Sequence, residues 1–386
     1  MIPYGRQDIT DEDIAAVTAV LRSDLVTQGP AIDAFEAVVA SRCGVERAVA
    51  VSNATAGLHL AYLALDIGPG DLVWTAPNTF AATANAALYC GARVDFVDID
   101  LATRNMSVPA LEARLREADE HGRLPKLVVP VHFGGLSCDM AAIGALARRY
   151  GFRVVEDASH AIGATYGGRP VGACEHSDAC VFSFHPVKII TTGEGGMVTS
   201  ADPAIAERVA RLRTHGITRD ANLMAGGSEG GWYYEMLELG FNYRMTDIQA
   251  ALGHSQFGRL DGYIERRDEI ARGYDAALAD SGLGLPTRID GARSAYHLYA
   301  VHWPAGLGGH DRASAFAALR EDGIGVNVHY IPVHMLPFYR SLGFGPGEFP
   351  NAEAHYAMAI SLPMFPTLTD ADQRAVTGSV RDLAGV

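Results

Sequence analysis

Of the 31 lysine and arginine residues in this chain, only two are lysines, Lys126 and Lys188. A lysine amine can lose its proton and form an imine with a carbonyl, whereas a guanidinium stays protonated and delocalised. Lys126 follows Pro125 at the start of an apolar run, where its charge stays solvated. Lys188 closes the segment Ser183-Phe184-His185-Pro186-Val187-Lys188, just past a strand-like run, and Thr191-Thr192-Gly193-Glu194-Gly195-Gly196 follows it. A lysine kept in such a loop, in a chain that otherwise uses arginine, points to imine chemistry.

Imine chemistry through pyridoxal phosphate requires an acid that keeps the pyridine nitrogen protonated. It also requires a flat group against the ring, donors for the phosphate and a partner for the ring hydroxyl. The run Arg153-Val154-Val155-Glu156 ends in Asp157-Ala158-Ser159-His160. Parallel sheets bind ligands at the C-terminal ends of their strands, so Asp157 suits the pyridine nitrogen and His160 the ring oxygen. Asn53-Ala54-Thr55-Ala56-Gly57 follows another strand-like run and opens a helix, offering a phosphate free N–H groups and a favourable dipole. Phe80, after Pro77-Asn78-Thr79, stands at the next strand-to-helix turn and can stack on the ring.

The elements that must position these residues alternate along the chain. Strand-like runs lie at 48–52, 72–75, 93–97, 127–131, 153–156 and 179–183, with helical runs at 55–66, 79–89, 108–119 and 139–150. That pattern predicts an α/β fold with a mostly parallel sheet covered on both faces. Ahead of it, Thr10-Asp11-Glu12-Asp13 opens a helix as a capping box, and a second helix runs from Pro30 to Gly44. Behind it come a Gly/Thr-rich loop over 184–199 with a short strand, a helix over 203–214 and a polar loop over 217–231. A long helix is expected from 246 to 280. After Pro286, runs at 295–302 and 326–330 with helices near 311–321 and 369–383 read as a smaller α+β unit. The expected division is 1–250, a large domain with the N-terminal helices, and 251–386, a small C-terminal domain.

Composition narrows the function classes. The net charge of −14 and pI near 5.4 argue against a protein that coats nucleic acid or an anionic membrane. The five cysteines show no C-x-x-C spacing and read as buried free thiols of a cytoplasmic protein, without disulfides or a metal site. The first six residues have no apolar core of a leader. The uncharged stretch 72–92 holds Pro77, Asn78, Thr79, Thr83 and Asn85, which lipid would not accommodate. Neither G-x-G-x-x-G, a P-loop nor H-E-x-x-H is present. Gly226-Gly227-Ser228-Glu229-Gly230 has nucleophile-elbow spacing, but it lies inside the polar loop rather than between a strand and a helix, so a serine hydrolase lacks support.

The segment from Ser183 to Gly196, together with Gly240-Phe241-Asn242-Tyr243-Arg244-Met245-Thr246-Asp247-Ile248-Gln249-Ala250, resembles the DegT/DnrJ/EryC1/StrS family of sugar aminotransferases. The resemblance covers nearly the whole chain. It implies the aspartate-aminotransferase (type I PLP) fold, with Lys188 as the Schiff-base lysine and with Asp157 and His160 holding the ring. It further implies that Phe80 stacks on the ring and that Thr55, Ala56 and Ser183 bind the phosphate. Asn242 matches a residue that reaches the partner subunit's phosphate, which implies a homodimer with shared active sites. Some members are dehydratases with histidine in place of this lysine, and Lys188 argues against that branch.

The segments 183–188, 132–140, 328–334, 349–353 and 361–363 resemble a narrower branch of the family. That branch transfers an amino group from L-glutamate to C4 of a UDP-4-keto-6-deoxy-N-acetylhexosamine in the pseudaminic acid pathway. The likeness implies that Tyr4, Thr27-Gln28-Gly29 and His329 lie near the substrate. Arg244 and helix N-termini can supply a local positive field for an anionic nucleotide sugar in spite of the net charge. Other 4-keto sugars of perosamine or bacillosamine type stay open. A non-catalytic binding protein of the same fold is the rival reading, and the intact Lys188 and Asp157 speak against it.

Overall fold

The computed structural model describes residues 1–386. The first part runs α1 (Asp11–Leu21), α2 (Pro30–Cys43), β1 (Arg47–Val51), α3 (Ala54–Ala64), β2 (Leu72–Thr75), α4 (Ala81–Tyr89), β3 (Arg93–Phe96) and α5 (Val108–Glu120). It continues through β4 (Leu127–Val129), α6 (Met140–Tyr150), β5 (Arg153–Asp157), the short β6 (Thr165–Tyr166) and β7 (Arg169–Pro170), β8 (Ala179–Ser183), β9 (Gly196–Ser200) and α7 (Pro203–Leu212). Seven of these strands form one sheet in the order β1-β9-β8-β5-β4-β2-β3. Only β9 runs against its neighbours, pairing antiparallel with both β1 and β8. Val128, Val129, Val154 and Val155 are buried, as strands covered on both faces require. The expected α/β sheet is therefore present.

The second part holds β10 (Ile217–Thr218) and β11 (Glu235–Met236), which pair and close the polar loop, then α8 (Asp247–Phe257) and α9 (Leu260–Ala277). After them come β12 (Ala292–Arg293), β13 (Tyr299–His302), α10 (Arg312–Glu321), α11 (Pro337–Ser341), α12 (Pro350–Met358), β14 (Ala359–Leu362) and α13 (Asp370–Ala384). Two expectations need correction here. The helix expected over 246–280 is broken: Arg259 leaves helical geometry (ψ 1°), and its guanidinium closes on Asp13 at 2.6 Å. Residues 326–330 form no strand. They make a single bridge, Asn327 to Ser361, on the edge of β14 that β13 leaves open, and the segment then lines a cleft.

The N-terminal helices are anchored on α8. Asp13 accepts hydrogen bonds from the Thr10 amide (3.0 Å), Ser255 (2.6 Å) and Gln256 (2.7 Å), completing one arm of the expected capping box; the Thr10 hydroxyl has no partner. Asp247 caps α2 from a distance, accepting from the amides of Gly29 (2.8 Å) and Ala31 (3.0 Å). A Cβ on Gly29 would lie 2.8 Å from the Asp247 carboxylate, so only glycine fits.

Apolar packing falls into two large clusters on the faces of the sheet and a third made of residues 270–384. Leu260 and Ile264 still pack with the sheet, so the core changes within α9. The segment 333–352 returns to the sheet: Phe96 packs edge-on against Tyr339, Phe344 and Phe349. No helix is long and apolar enough to cross a membrane.

Candidate active site

A cleft of about 820 Å³ opens beyond the C-terminal ends of β5 and β8, where parallel sheets collect ligands. Asp157 is the last residue of β5 and is buried. Its backbone is pinned to the segment after β4: its N–H donates to Pro130 (2.9 Å), and its carbonyl accepts from the His132 amide (3.0 Å). Its carboxylate accepts from the Thr83 hydroxyl (2.6 Å) and the Ser159 amide (3.0 Å). Thr79 lies 2.8 Å from Thr83, so a donor chain runs from Thr79 through Thr83 to Asp157.

Lys188 sits on the loop that follows β8. That loop is folded back on itself: Thr192 and Thr191 donate to the Phe184 carbonyl, each at 3.0 Å, and the Phe184 amide donates to Gly195 (2.9 Å). A side chain on Gly195 would collide with Thr192, and one on Gly196 would lie 2.8 Å from the Ala54 amide nitrogen. The two glycines thus let the loop and the start of α3 close around the cleft. Burial pushes the Lys188 amine down to about 8, with Asp157 pulling weakly the other way. An amine in that range is partly neutral near physiological pH, as imine formation requires.

Asn53 caps α3 by accepting the Ala56 amide at 2.9 Å. The amides of Ala54 and Thr55, among the first of the helix, have no intrahelical partner, and both residues line the cleft. His160 is buried, and burial, reinforced by Lys188, His329 and His132, holds its pKa well below the ordinary value. Its Nδ1 accepts from the Gly134 amide (3.2 Å), and its Nε2 lies 2.9 Å from the Tyr330 hydroxyl. His329 packs at a tilt against Tyr4, with ring centroids 5.7 Å apart, and burial pushes it down to about 4, with Lys188 adding to the shift.

The structure gathers Lys188, Asp157, His160, Phe80, Ser183, Thr55, Tyr4 and His329 around this one cleft. Four further residues lie outside its lining. The Ala56 amide is taken by Asn53. Thr27 and Asn242 pair through their backbones with Thr246 and Thr214, and Asn242 is exposed, as is part of Arg244. Ser228 lies in an exposed loop bonded to Gly230, with no strand before it and no helix after it. Lys126 is ion-paired with Asp71 at 2.9 Å. Sequence reasoning overlooked Thr83 and Tyr330. Thr83 carries a signal, a hydroxyl residue one turn after Thr79 on an otherwise alanine-rich helix. Tyr330 sits beside His329, and its contact with His160, 170 residues away in sequence, had no local signal.

The DegT/DnrJ/EryC1/StrS aminotransferase family model matches residues 7–381. The chain belongs to this family. It is 42% identical over 385 residues to the spore coat polysaccharide biosynthesis protein SpsC of Bacillus subtilis, covering 99% of this chain and 97% of that one. It is 39% identical over 366 residues to the UDP-4-amino-4,6-dideoxy-N-acetyl-β-L-altrosamine transaminase of Campylobacter jejuni, covering 94% and 92%. Among solved structures, the PLP-form of the putative sugar aminotransferase Spr1654 from Streptococcus pneumoniae superposes with a TM-score of 0.90 at 30% identity, over 100% of this chain and 98% of that one. The chain is thus a sugar aminotransferase with the fold of its family, and pyridoxal phosphate is its cofactor. The cleft fits that group on its own terms: a partly neutral amine, a carboxylate held by two donors and a helix start with free amides all face one space.

Proposed function

We propose that the chain transfers an amino group from L-glutamate to C4 of a UDP-4-keto-6-deoxy-N-acetylhexosamine, yielding UDP-4-amino-4,6-dideoxy-N-acetyl-β-L-altrosamine for pseudaminic acid. The observation that carries this reading is one cleft holding Lys188 and Asp157 at its base and Tyr4 and His329 along its wall, in a chain similar to the Campylobacter transaminase. Bound pyridoxal phosphate supplies a carbonyl for amine condensation and a protonated ring that takes up an electron pair. Lys188 anchors the cofactor, then takes a proton from the donor's α-carbon and delivers one to the sugar's C4. Asp157 keeps a proton on the pyridine nitrogen, and Thr83 and Ser159 hold that carboxylate in place. The start of α3, with Ser183, receives the phosphate.

A homodimer with shared sites belongs to the same reading. Trp232, Tyr234, Met236, Leu237 and Leu239 form an exposed apolar run that leads directly to Asn242, the residue expected to reach the partner's phosphate. Reduced thiols and nucleotide sugars point to the cytoplasm. A second reading, another 4-keto nucleotide sugar destined for a polysaccharide, is favoured by the slightly higher identity to SpsC. Mass spectrometry of products from a panel of 4-keto nucleotide sugars with L-glutamate separates the two. Conversion of the UDP-N-acetyl substrate in preference to the others supports the first, and preference for a different 4-keto sugar replaces it.

A further inference from the structure

Glu156 and Asp157 are neighbours at the end of β5, so their side chains leave the strand on opposite faces. Both are buried. Asp157 lines the cleft, whereas Glu156 lies outside that lining. The Glu156 carboxylate is held at both oxygens. Ser177, in the turn before β8, donates to Oε1, and His132, in the segment after β4, lies 2.7 Å from Oε2. The bonds of His132 show which way its hydrogen points. The Cys138 amide can only donate, and it meets Nδ1 at 3.1 Å. Burial disfavours a charge on this ring, while the Cys138 side chain and Glu156 favour one. A second ring hydrogen, on Nδ1, would collide with that amide, so His132 is neutral and its Nε2–H donates to Glu156. The His132 main chain grips the next residue of the strand, its amide donating to the Asp157 carbonyl at 3.0 Å. One fully buried histidine therefore holds Glu156 by its ring and Asp157 by its backbone.

We propose that His132 and Glu156 act as a positioning pair for Asp157, setting the strand end that carries its carboxylate. Thr83 and Ser159 hold that carboxylate directly. The pair acts instead on the backbone beneath it and on the opposite face of the strand. With both faces of the strand end tied, Asp157 has little freedom to rotate away, and small misplacements of an active group are costly. Ser177 extends the hold to the start of β8, the strand that leads to Ser183 and Lys188. The assignment rests on the reading that Asp157 serves the pyridine nitrogen.

The test compares wild type with His132→Leu and His132→Gln, each loaded with pyridoxal phosphate. Cofactor dissociation, the pH midpoint of the visible absorption change, kcat, KM for L-glutamate and thermal unfolding are measured on each. Leucine leaves Glu156 without its ring donor. Cofactor retention and kcat should each fall about ten-fold, with KM little changed. The midpoint should rise by about half a unit, because a poorly held Asp157 leaves less positive charge on the cofactor ring. Glutamine can present an N–H to Glu156 and should recover most of each loss. In an Asp157→Asn background, His132→Leu should cost little more, since the pair acts through Asp157. Wild-type retention and midpoint in folded His132→Leu protein overturn the proposal. So does a fully additive loss in the Asp157→Asn background, which would make His132 a structural residue only. Should the leucine variant not fold, Ser177→Ala, at a half-buried site, carries the test. Smaller shifts of the same sign there support the pair, and unchanged retention and midpoint overturn it. Asp157→Asn protein with wild-type retention and midpoint overturns the reading of Asp157 itself, a distinct result.

Discussion

Lys188 and Asp157 are set by different means, and their variants should fail differently. The Lys188 amine is shifted by burial to about 8, so its neutral, imine-forming fraction grows as pH rises through that value. Covalent uptake of pyridoxal phosphate by cofactor-free protein, followed by stopped-flow absorbance, should accelerate from pH 7 to 9 and level off above. A rate still climbing toward pH 10.5 would mean an ordinary solvated lysine. Lys188→Arg should abolish turnover. Asp157→Asn should lower turnover by orders of magnitude in folded protein. Thr83→Val removes the 2.6 Å donor to Asp157 at nearly constant volume. We expect kcat to fall about ten-fold, as for loss of a hydrogen bond to a charged group, with thermal stability little changed. Thr83→Ser should recover most of the rate, and a valine variant with wild-type kcat would remove Thr83 from the site. Lys188 and Asp157 were legible in the sequence because Asp157 ends a strand and Lys188 lies in the loop just past one, each with a distinctive neighbourhood. Thr83 and Tyr330 were not, because their contacts come from elements far apart in sequence: α4 against β5, and the 327–330 segment against the loop after β5.

At the scale of elements, period and punctuation found most of the sheet, and the failures share a cause. The run 246–280 reads as one helix, yet it splits at Gly258 and Arg259, where α8 ends and the Arg259 guanidinium meets a carboxylate on α1. Residues 326–330 have strand composition but join the edge of β14 only at Asn327, and the rest of the segment lines the cleft. Both outcomes are tertiary decisions that local composition does not carry. The return of residues 333–352 to the sheet was equally hidden, and it rests on Phe96. This side chain is fully buried, and four aromatic or histidine rings of the returning segment surround it. Phe96→Ala should destabilise the protein by about 3–5 kcal/mol, read from urea unfolding. A loss below about 1 kcal/mol, within the range of surface substitutions, would show that the segment is held by other contacts, such as the Asn351 and Ala352 amides on Asp98.

For the whole molecule, the assembly is the open question that experiment can close directly. The apolar run from Trp232 to Leu239 is exposed in one chain, and Asn242 beside it is exposed and lies outside that chain's own cleft lining. Trp232→Asp combined with Leu239→Asp should shift sedimentation from dimer to monomer and abolish turnover. Mixing Lys188→Ala protein with Asn242→Asp protein, each inactive alone, should restore activity if sites are shared across the interface. Absence of any recovery after subunit exchange would instead make each site self-contained. The net charge of −14 contributes little to this chemistry, since the donors that face the cleft are backbone amides and hydroxyls rather than surface charge.

The lone antiparallel strand has a consequence in time. β1 pairs with nothing but β9, Arg47 opposite Ser200, although β1 is among the first segments to leave the ribosome. Until residue 200 has been made, β1 has no edge to join, and the helix start at Ala54 has no Gly196 to rest against. The lysine and the phosphate cradle are therefore completed in one closing event, by the same late strand. Such long-range pairing is slow to form, and a chain cannot capture its cofactor on a half-built site: a released chain truncated at 190 contains Lys188 but lacks β9, and it should fail to retain pyridoxal phosphate.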